Sequence, residues 1–169
     1  LSGILGYGIG LQEVSHVKVN DTILSYAIYG VTVVDSNYVT VESNSIHFCD
    51  VAVEVKKVNT YPDYCRVMNN TMSQGTWGIY LSDALCSNAS GNTISDFSGH
   101  GLYVVASGNS NFSSNDISGC GDCAILVESS GSCVVFNNTL TENLGYNCGG
   151  VYLYGCTGTL VYHNSFLDN

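Results

Sequence analysis

Hydrophobic positions recur in a fixed pattern along this chain: a small residue is followed by two aliphatic residues with one position between them. The first aliphatic residues of the seven copies are 22, 22, 26, 23, 23 and 26 residues apart. A unit of that length is too short to bury a core of its own, so the repeat predicts a solenoid of stacked units. The copies are Gly8–Leu11, Gly30–Val33, Ala52–Val55, Gly78–Leu81, Gly101–Val104, Ala124–Val127 and Gly150–Leu153.

A polar position recurs with nearly the same period, because an Asn stands two positions before an apolar residue near the end of each unit. Asp21 takes this place in the first unit. We interpret these residues as inward-facing turn residues that bond to their equivalents in neighbouring units and satisfy backbone groups that the turn leaves unpaired. The predicted ladder consists of Asn44, Asn70, Asn92, Asn115, Asn138 and Asn164.

A third set of positions, such as Val39 and Val41, also alternates with a period of two, which predicts strands with one buried face. Strand and turn residue types dominate, and apolar spacing with a helical period is missing over any useful length. We therefore predict an all-β fold, a single-stranded parallel β-helix of about seven coils of 22–26 residues, forming one domain over residues 1–169. The segment Thr60–Tyr64, which contains the only proline, is a candidate insertion in one of the longer coils.

Five segments carry a family resemblance: Trp77–Ser82, Asn92–Ile94, Asn137–Leu140, Gly150–Leu153 and Tyr162–Asn169. The chain resembles the NosD-like group of right-handed parallel β-helix proteins over essentially its whole length. That group is also described as carbohydrate-binding proteins and sugar hydrolases within the pectin-lyase-like superfamily. The resemblance implies a right-handed β-helix, but it specifies activity poorly, because one fold hosts many functions.

The repeat pattern runs to both ends of the chain without an evident capping segment. Because solenoids need capped ends for solubility, we expect either a segment of a longer solenoid or a unit that stacks end to end as a homo-oligomer. The sequence leaves both interpretations open.

Charge and hydropathy narrow the range of partners. The net charge is −10, from 14 acidic and 4 basic residues, which argues against a nucleic-acid partner, since phosphate neutralisation needs Lys and Arg. No run of 18 apolar residues occurs, so no membrane span is predicted. The acidic, Lys-poor composition is typical of an extracellular or cell-surface protein, although charge alone identifies no partner.

Eight cysteines, an even number in an Asn-, Ser- and Gly-rich chain, favour an oxidising compartment and disulfide bonds. Cys120 is an alternative partner for Cys148, Cys49 has no clear partner, and Cys65 and Cys133 could simply be small buried core residues. Cys120-Gly-Asp-Cys123 lacks a second pair with suitable spacing, so no zinc site is predicted. The register suggests the pairs Cys65–Cys86, Cys123–Cys148 and Cys133–Cys156.

Five Asn-x-Ser/Thr sequons are predicted to point outward from the rod, which is what glycosylation of its surface would need. The alternative is that a chain rich in Asn, Ser and Thr generates sequons by chance. The glycosylation candidates are Asn20, Asn69, Asn88, Asn111 and Asn137.

Candidate chemistry is sparse. Sugar hydrolysis needs paired carboxylates, and the acidic residues here are scattered without an adjacent pair. Gly99-His100-Gly101 resembles the Gly-His-Gly element of polygalacturonase-like hydrolases, which makes His100 the one weak catalytic candidate; the family's Asp-Asp pair and Arg-x-Lys element are missing. The four His lie at unlike positions in different units and no His/Met cluster occurs, so we predict no metal site, copper included, and no cofactor.

Aromatic residues occupy the outward position between the two aliphatics in three units. A stripe of such rings could stack on sugar rings or bury in a subunit contact, whereas the alternative is cross-strand pairing that only stabilises an exposed sheet. The residues are Tyr80, Tyr103 and Tyr152, with Tyr154 nearby.

The sequence thus favours a non-catalytic extracellular or cell-surface β-helix protein with a structural or adhesive role, with end-to-end assembly into filaments as an extension. The alternative is a carbohydrate-binding module or a polysaccharide lyase or hydrolase.

Overall fold

The computed structural model describes residues 6–60, 63–145 and 148–169, and within them the chain forms short β-strands and no helix. Three strands make one coil, and seven coils stack into a rod. In chain order the strands are β1 Tyr7–Gln12, β2 Lys18–Asn20, β3 Ile23–Ser25, β4 Tyr29–Val34, β5 Thr40–Glu42, β6 Ser45–His47, β7 Val51–Lys56, β8 Arg66–Met68, β9 Thr71–Gly75, β10 Trp77–Ser82, β11 Asn88–Ser90, β12 Thr93–Phe97, β13 Leu102–Val105, β14 Asn111–Ser113, β15 Asp116–Ser118, β16 Ile125–Glu128, β17 Val134–Phe136, β18 Thr139–Thr141, β19 Val151–Tyr154, β20 Leu160–Tyr162 and β21 Ser165–Leu167.

Every third strand joins the same sheet, so three seven-stranded parallel sheets run along the rod. Sheet 1 begins with β1 and ends with β19, sheet 2 runs from β2 to β20, and sheet 3 runs from β3 to β21. Equivalent residues of the repeat are register partners, as where Ile79 pairs with Val53 on one side and Leu102 on the other. The predicted all-β solenoid of about seven coils is confirmed.

The inward aliphatic residues of the three sheets meet along the axis of the rod and form its core. Ile79, Leu102 and Ile125 stack in successive coils of sheet 1 and are completely buried. Full burial of such a side chain contributes roughly 1.5–3 kcal/mol, and each coil supplies several of them. Stacking places like on like, which explains why each column of the repeat keeps one kind of residue.

The corners between strands use the left-handed backbone conformation. Among the residues that the structure describes, twenty-three non-glycine residues have φ between 48° and 63°, a region that few L-residues adopt. Most of these residues turn the chain so that the next side chain points into the rod. Asn137 (φ 54°) precedes the buried Asn138 in this way, and Ser114 (φ 54°) precedes the buried Asn115.

The predicted Asn ladder residues lie in one column at the corner between sheets 2 and 3. The Oδ1 atom of Asn92 accepts hydrogen bonds from the backbone N and the Nδ2 of Asn70, both at 3.0 Å. Its own Nδ2 donates to the Val67 carbonyl and to Asn115 Oδ1, both at 2.9 Å. The pattern recurs from Asn44 to Asn138 and ends on Asn164. These bonds satisfy corner groups that would otherwise be buried and unpaired.

Two further corners carry shorter ladders that the sequence prediction missed. After sheet 3, Asn143 Oδ1 accepts from the Cys120 amide at 3.0 Å, and Asn169 Oδ1 accepts from the Asn143 amide at 3.1 Å. After sheet 1, Ser130 Oγ accepts from the Ser107 amide at 2.9 Å. The rod therefore has polar columns at several corners around an apolar core.

The candidate insertion Thr60–Tyr64 includes Tyr61 and Pro62, which lie outside the described residues. The segment before them is held by Asp35, which is 5% exposed in the preceding coil. Its carboxylate accepts hydrogen bonds from the amides of Val58 at 2.7 Å, Asn59 at 2.9 Å and Thr60 at 3.1 Å. Burial raises the pKa of Asp35, but these hydrogen bonds outweigh it and hold the pKa below its ordinary value. The longer coil is thus tied down by one buried carboxylate.

The last coil exposes side chains that continue the inward columns. Leu153, Val161 and Phe166 are 37%, 40% and 51% exposed, whereas their equivalents one coil earlier are buried. Within the described parts of the chain, no helix has the length and apolar character needed to cross a membrane.

Candidate functional site

Three aromatic rings contact one another on the outer face of sheet 1, and we call Trp77, Tyr80 and Tyr103 the aromatic cluster. The ring centroids of Trp77 and Tyr80 are 5.2 Å apart, and those of Tyr80 and Tyr103 are also 5.2 Å apart. Trp77 meets Tyr103 edge to face at 5.5 Å. All three side chains are half-buried. Such contacts hold the rings in fixed positions and leave part of each ring open to solvent.

Trp77 is a member of this cluster that sequence reasoning did not single out as a site residue. It begins β10, and Tyr80 stands three positions later on the same strand. The outward column between the aliphatics contains Tyr80 and Tyr103 but not Trp77, so that column alone could not reveal it. The available signal was that Trp77 is the only tryptophan in the chain and directly precedes the small residue of its repeat.

Carboxylates flank the aromatic cluster on both sides. The Tyr103 hydroxyl donates to Glu128 Oε2 at 3.0 Å. Burial raises the pKa of Tyr103 to about 12, and the hydrogen bond to Glu128 adds to this, so the hydroxyl stays protonated at neutral pH. On the other side, Glu54 is the register partner of Tyr80 and is 3% exposed. It accepts from Thr32 Oγ1 at 2.6 Å and pairs with Lys56 Nζ at 2.9 Å.

The other two predicted tyrosines lie on the same face without joining the cluster. Tyr152 is the register partner of Leu126, which separates it from Tyr103, and Tyr154 is the register partner of Glu128. Their exposed fractions are 46% and 59%. The structure therefore brings Tyr80 and Tyr103 together and leaves Tyr152 and Tyr154 as a separate exposed pair on the last coil.

A second group lies beside the first, directly before β13, β16 and β19, and we call His100, Asp122, Cys123 and Cys148 the His100 cluster. The ligand atoms of His100, Asp122 and Cys123 all lie within 4.8 Å of one another. Asp122 Oδ2 is 3.9 Å from His100 Nε2, and Asp122 Oδ1 accepts from the Cys123 amide at 3.0 Å. The Cys148 thiol interacts with the Cys123 thiol, and Asp122 acts electrostatically on both.

Burial controls the protonation of the His100 cluster. It lowers the pKa of His100, opposed by the Asp122 carboxylate and the Cys123 carbonyl, so the imidazole is neutral at neutral pH. It raises the pKa of the Cys123 thiol, with Cys148 and Asp122 adding to the effect, and it also raises the pKa of the Cys148 thiol. The Nδ1 atom of His100 is buried and makes no hydrogen bond. A buried, unpaired nitrogen of this kind is rare in folded proteins.

The two clusters adjoin, because the His100 ring packs on the Tyr103 ring with centroids 5.3 Å apart. A catalytic role for His100 stays a prediction; its side chain is 14% exposed and its nearest described carboxylate is that of Asp122. The sequence argument compared the four histidines only with one another and so missed this cluster. A comparison of Gly99-His100-Gly101 with Asp122-Cys123-Ala124 would have found it, because Gly101 and Ala124 share one column of the repeat.

The structure gives all eight cysteines as free thiols, and the three disulfides stay predictions. Cys123 and Cys148 interact directly, as described above. Burial raises the pKa of the Cys133 thiol, and an electrostatic contribution from Cys156 adds to it.

The third predicted pair, Cys65 and Cys86, is one position out of register and stays a prediction. Cys65 is buried, and its thiol donates to the Ser36 carbonyl at 3.3 Å. The Tyr64 amide bonds to the Leu85 carbonyl, which makes Cys86 the neighbour of Tyr64. Cys65 is therefore the register partner of Ser87, and Cys86 is one position out of register with Cys65. Of the remaining thiols, Cys49 and Cys120 are both buried in the core.

The sequon residues lie on the outside of the rod. Asn69 and Asn137 occupy left-handed corner positions directly before ladder residues. Asn88 and Asn111 are register partners on sheet 2, and Asn88 is half-buried. Asn20 ends β2 and is exposed, as are Asn69, Asn111 and Asn137. Their glycosylation stays a prediction.

Comparison of the chain with known protein families shows which family it belongs to. The model of the family described as "Periplasmic copper-binding protein (NosD)" matches residues 2–169. This chain belongs to the NosD family. The predicted resemblance is therefore confirmed, and the description places NosD proteins in the periplasm, which lies outside the cytoplasm as the composition suggested. No curated protein matches the chain.

The NosD description names copper, and the His100 cluster offers donors that suit it. Thiolates and imidazole are ligands that Cu(I) prefers, and the donor atoms that lie together here include the Cys123 sulfur and a ring nitrogen of His100. The unpaired His100 Nδ1 shows that this imidazole has an unused polar atom in a buried place. These donor types suit copper, and the predicted absence of a metal site stays a prediction.

Proposed function

We propose that this NosD-family chain is a non-catalytic β-helix rod with an adhesive role outside the cytoplasm, and that its aromatic cluster binds neutral carbohydrate. The observation that supports this most directly is the mutual contact of Trp77, Tyr80 and Tyr103 on an open sheet face. Rings that are fixed in the free protein lose little conformational entropy on binding.

The chemistry of the cluster suits a sugar ring. A pyranose presents an apolar C–H face and a rim of hydroxyls, and aromatic side chains with a polar tip match both. The Glu128 carboxylate accepts from Tyr103 and has further acceptor sites for a sugar hydroxyl. Glu54, on the other side of Tyr80, is already paired with Thr32 and Lys56. Its contribution is therefore to support the aromatic cluster, and Glu128 is the carboxylate that offers free acceptor sites.

The charge of the chain favours neutral over acidic glycans. Fourteen acidic residues against four basic ones give a field that repels uronic acids and sulfated sugars. The Glu128 carboxylate beside the aromatic cluster adds to this repulsion at the site itself, whereas Glu54 is paired with Lys56. A neutral polysaccharide is therefore the ligand class that we propose.

A glycan array tests the proposal with purified wild-type chain and two variants. Trp77→Ala and Tyr103→Ala should each abolish binding to neutral glycans, because each removes a ring of the cluster. Tyr38→Ala is the matched control, since Tyr38 is a 49% exposed aromatic that stacks on Tyr64 at another corner. Failure of the wild type to bind any neutral glycan, or unchanged binding by Trp77→Ala, would contradict the proposal.

The non-catalytic part has its own test. Incubation with neutral and acidic polysaccharides, followed by assays for reducing ends and unsaturated ends, should show no turnover. Turnover that His100→Ala abolishes would establish the alternative, a polysaccharide hydrolase or lyase.

End-to-end assembly is a separate extension of the proposal. Leu153, Val161 and Phe166 are the exposed apolar side chains on which it would act. Electron microscopy of the purified chain at several salt concentrations should show filaments that lengthen as salt screens the net charge of −10. Single particles at every concentration and salt would refute assembly without affecting carbohydrate binding.

A further inference from the structure

We propose that the carbohydrate on the aromatic cluster is a linear neutral chain that runs along the rod axis and occupies a second subsite on the first two coils. This inference rests on the proposed function, because it extends the same binding face of sheet 1. It adds a ligand class, an unbranched oligosaccharide or polysaccharide, and it sets the length of chain that fills the face.

A cavity of about 240 Å³ opens on the outer face of sheet 1 near the start of the rod, and we call it the Tyr7 pocket. The residues that line it are Tyr7, Gly10, Leu11, Gln12, Thr32 and Val34. The Tyr7 ring is 58% exposed and stands beside the Tyr29 ring, with centroids 5.5 Å apart. The pocket has room for one sugar ring and offers it an aromatic face.

The Tyr7 pocket exists because the outward column of sheet 1 starts with a glycine. Gly10 is the register partner of Thr32, and a Cβ at Gly10 would approach the Tyr7 ring no closer than 3.6 Å. The floor therefore stays at the level of the backbone, and a larger side chain at this position would fill the space. Gln12, two residues further along β1, is exposed and offers both a donor and an acceptor to sugar hydroxyls.

The Tyr7 pocket and the aromatic cluster lie on one line parallel to the rod axis. The outward column passes through successive register partners, which are Gly10, Thr32, Glu54, Tyr80 and Tyr103. Neighbouring strands are about 4.8 Å apart, so Gly10 and Tyr103, which are four strands apart in sheet 1, are separated by about 19 Å. An extended sugar chain advances by about one such step per unit, so about five units connect the pocket to Tyr103.

The surface between the two subsites is polar, and its charges are already paired. Thr32 and Glu54 are 2% and 3% exposed. The Glu54 carboxylate accepts from Thr32 Oγ1 at 2.6 Å and pairs with Lys56 Nζ at 2.9 Å, and that Nζ lies 5.3 Å from the centroid of the Tyr29 ring. A neutral chain crosses this surface without separating a charge from its partner, whereas an anionic chain would compete with Glu54 for Lys56.

Two subsites on one face make the affinity depend on chain length. A disaccharide on the aromatic cluster fills one subsite, whereas a longer chain that also reaches the Tyr7 pocket makes its second contact within the same molecule. Linked contacts of this kind raise the overall affinity through the effective concentration of the second contact. We therefore expect the affinity to rise at least about tenfold between about two and about five units, and to level off beyond that length.

The test is isothermal titration calorimetry of the wild-type chain with unbranched oligomers of glucose, mannose, xylose and N-acetylglucosamine, from about two to about six units long. Tyr7→Ala removes the exposed ring of the pocket, and Gly10→Val fills its floor. Each variant should lose the gain in affinity for longer oligomers. Tyr26→Ala is the matched control, because Tyr26 is a 61% exposed tyrosine that stacks on Phe48 at another corner, with centroids 4.9 Å apart.

Circular dichroism establishes that each variant folds, and Tyr7→Ala keeps the test valid if Gly10→Val does not fold, since Tyr7 is exposed. Equal affinity of the wild type for short and long oligomers overturns the second subsite and leaves carbohydrate binding by the aromatic cluster in place. Absence of binding by every oligomer overturns both. A gain in affinity that survives in Tyr7→Ala and Gly10→Val, or that is lost in Tyr26→Ala, places the chain elsewhere on the rod and also overturns the inference.

Discussion

Replacement of a single ladder residue tests how the corners of the rod are stabilised. Asn138 is 1% exposed, and its Nδ2 donates to the Phe112 carbonyl at 3.0 Å and to Asn164 Oδ1 at 2.9 Å. Its Oδ1 accepts from the backbone N and Nδ2 of Asn115 at 3.0 and 2.9 Å. Asn138→Asp preserves the shape and the acceptor but removes both donors.

The expected loss follows from these contacts. The buried Phe112 carbonyl loses a donor, which costs about 1–3 kcal/mol, and Asn164 Oδ1 loses one of its two donors while it keeps the Asn138 backbone amide. The new carboxylate also lies beside the Phe112 carbonyl in a place that water does not reach, which adds the cost of a buried charge. We therefore expect Asn138→Asp to lower the free energy of unfolding by about 3 kcal/mol or more at pH 7.

Acid should reduce this loss. Burial raises the pKa of the new carboxyl above its ordinary value of about 3.9, so the folded variant binds a proton at a higher pH than the unfolded chain does. The stability of the variant should then recover relative to wild type as the pH falls towards that raised pKa.

The assay is urea unfolding followed by circular dichroism and by the fluorescence of Trp77, the only tryptophan. Asn137→Asp is the control, because it makes the same chemical change one position earlier, at an exposed left-handed residue where Asp is tolerated. We expect the control to stay within about 0.5 kcal/mol of wild type. The reasoning is refuted if the two variants lose equal stability, or if the deficit of Asn138→Asp grows in acid.

Two further predictions concern other contacts of the fold. Hydrogen bonds from Val58, Asn59 and Thr60 hold the pKa of Asp35 below its ordinary value, so their stabilising effect is present above about pH 4 and is lost as the pH falls through the lower pKa of the folded state. Asp35→Asn should therefore show a smaller drop in urea midpoint between pH 7 and acid than wild type, and an equal drop would contradict this account. A Cβ at Gly75 would overlap the Cys49 carbonyl oxygen, whereas one at Gly10 would meet Tyr7 at an ordinary 3.6 Å. Gly75→Ala should lower the free energy of unfolding by about 1–3 kcal/mol and lower the thermal midpoint accordingly. Gly10→Ala should leave the thermal midpoint unchanged. Similar midpoints for the two variants would argue against close packing at this corner.

The repeat in the sequence predicted the fold because stacking forces like residues onto one another. Ile79 lies on Leu102 and Asn92 on Asn115, so each column of the rod is visible as a column of the sequence. The left-handed corner residues were not predictable in the same way, since Asp, Ser, Tyr, Cys and Ala all occupy them.

The candidate sites were less predictable because they combine unlike residues. The His100 cluster joins Cys123 and Cys148, which share a residue type and were predicted as a pair, to an imidazole and a carboxylate that share no residue type with them. The aromatic cluster was predicted in part: Tyr80 and Tyr103 stand in the repeating outward position, and Trp77 does not. Periodicity reveals what the coils have in common, whereas these sites arise where neighbouring coils differ.

The unequal length of the coils has a consequence for how such a rod can diversify. Two steps of the repeat are 26 residues long where the others are 22 or 23, yet the ladder and the core columns continue unbroken across both. The corner ladders restore the strand register after each longer coil, so the extra residues leave the packing of the next coil unchanged. One of the two longer coils contains the segment that is hydrogen-bonded to Asp35, and the other contains Cys148. The scaffold can therefore acquire or exchange a functional loop in a single evolutionary step, without a compensating change in its interior.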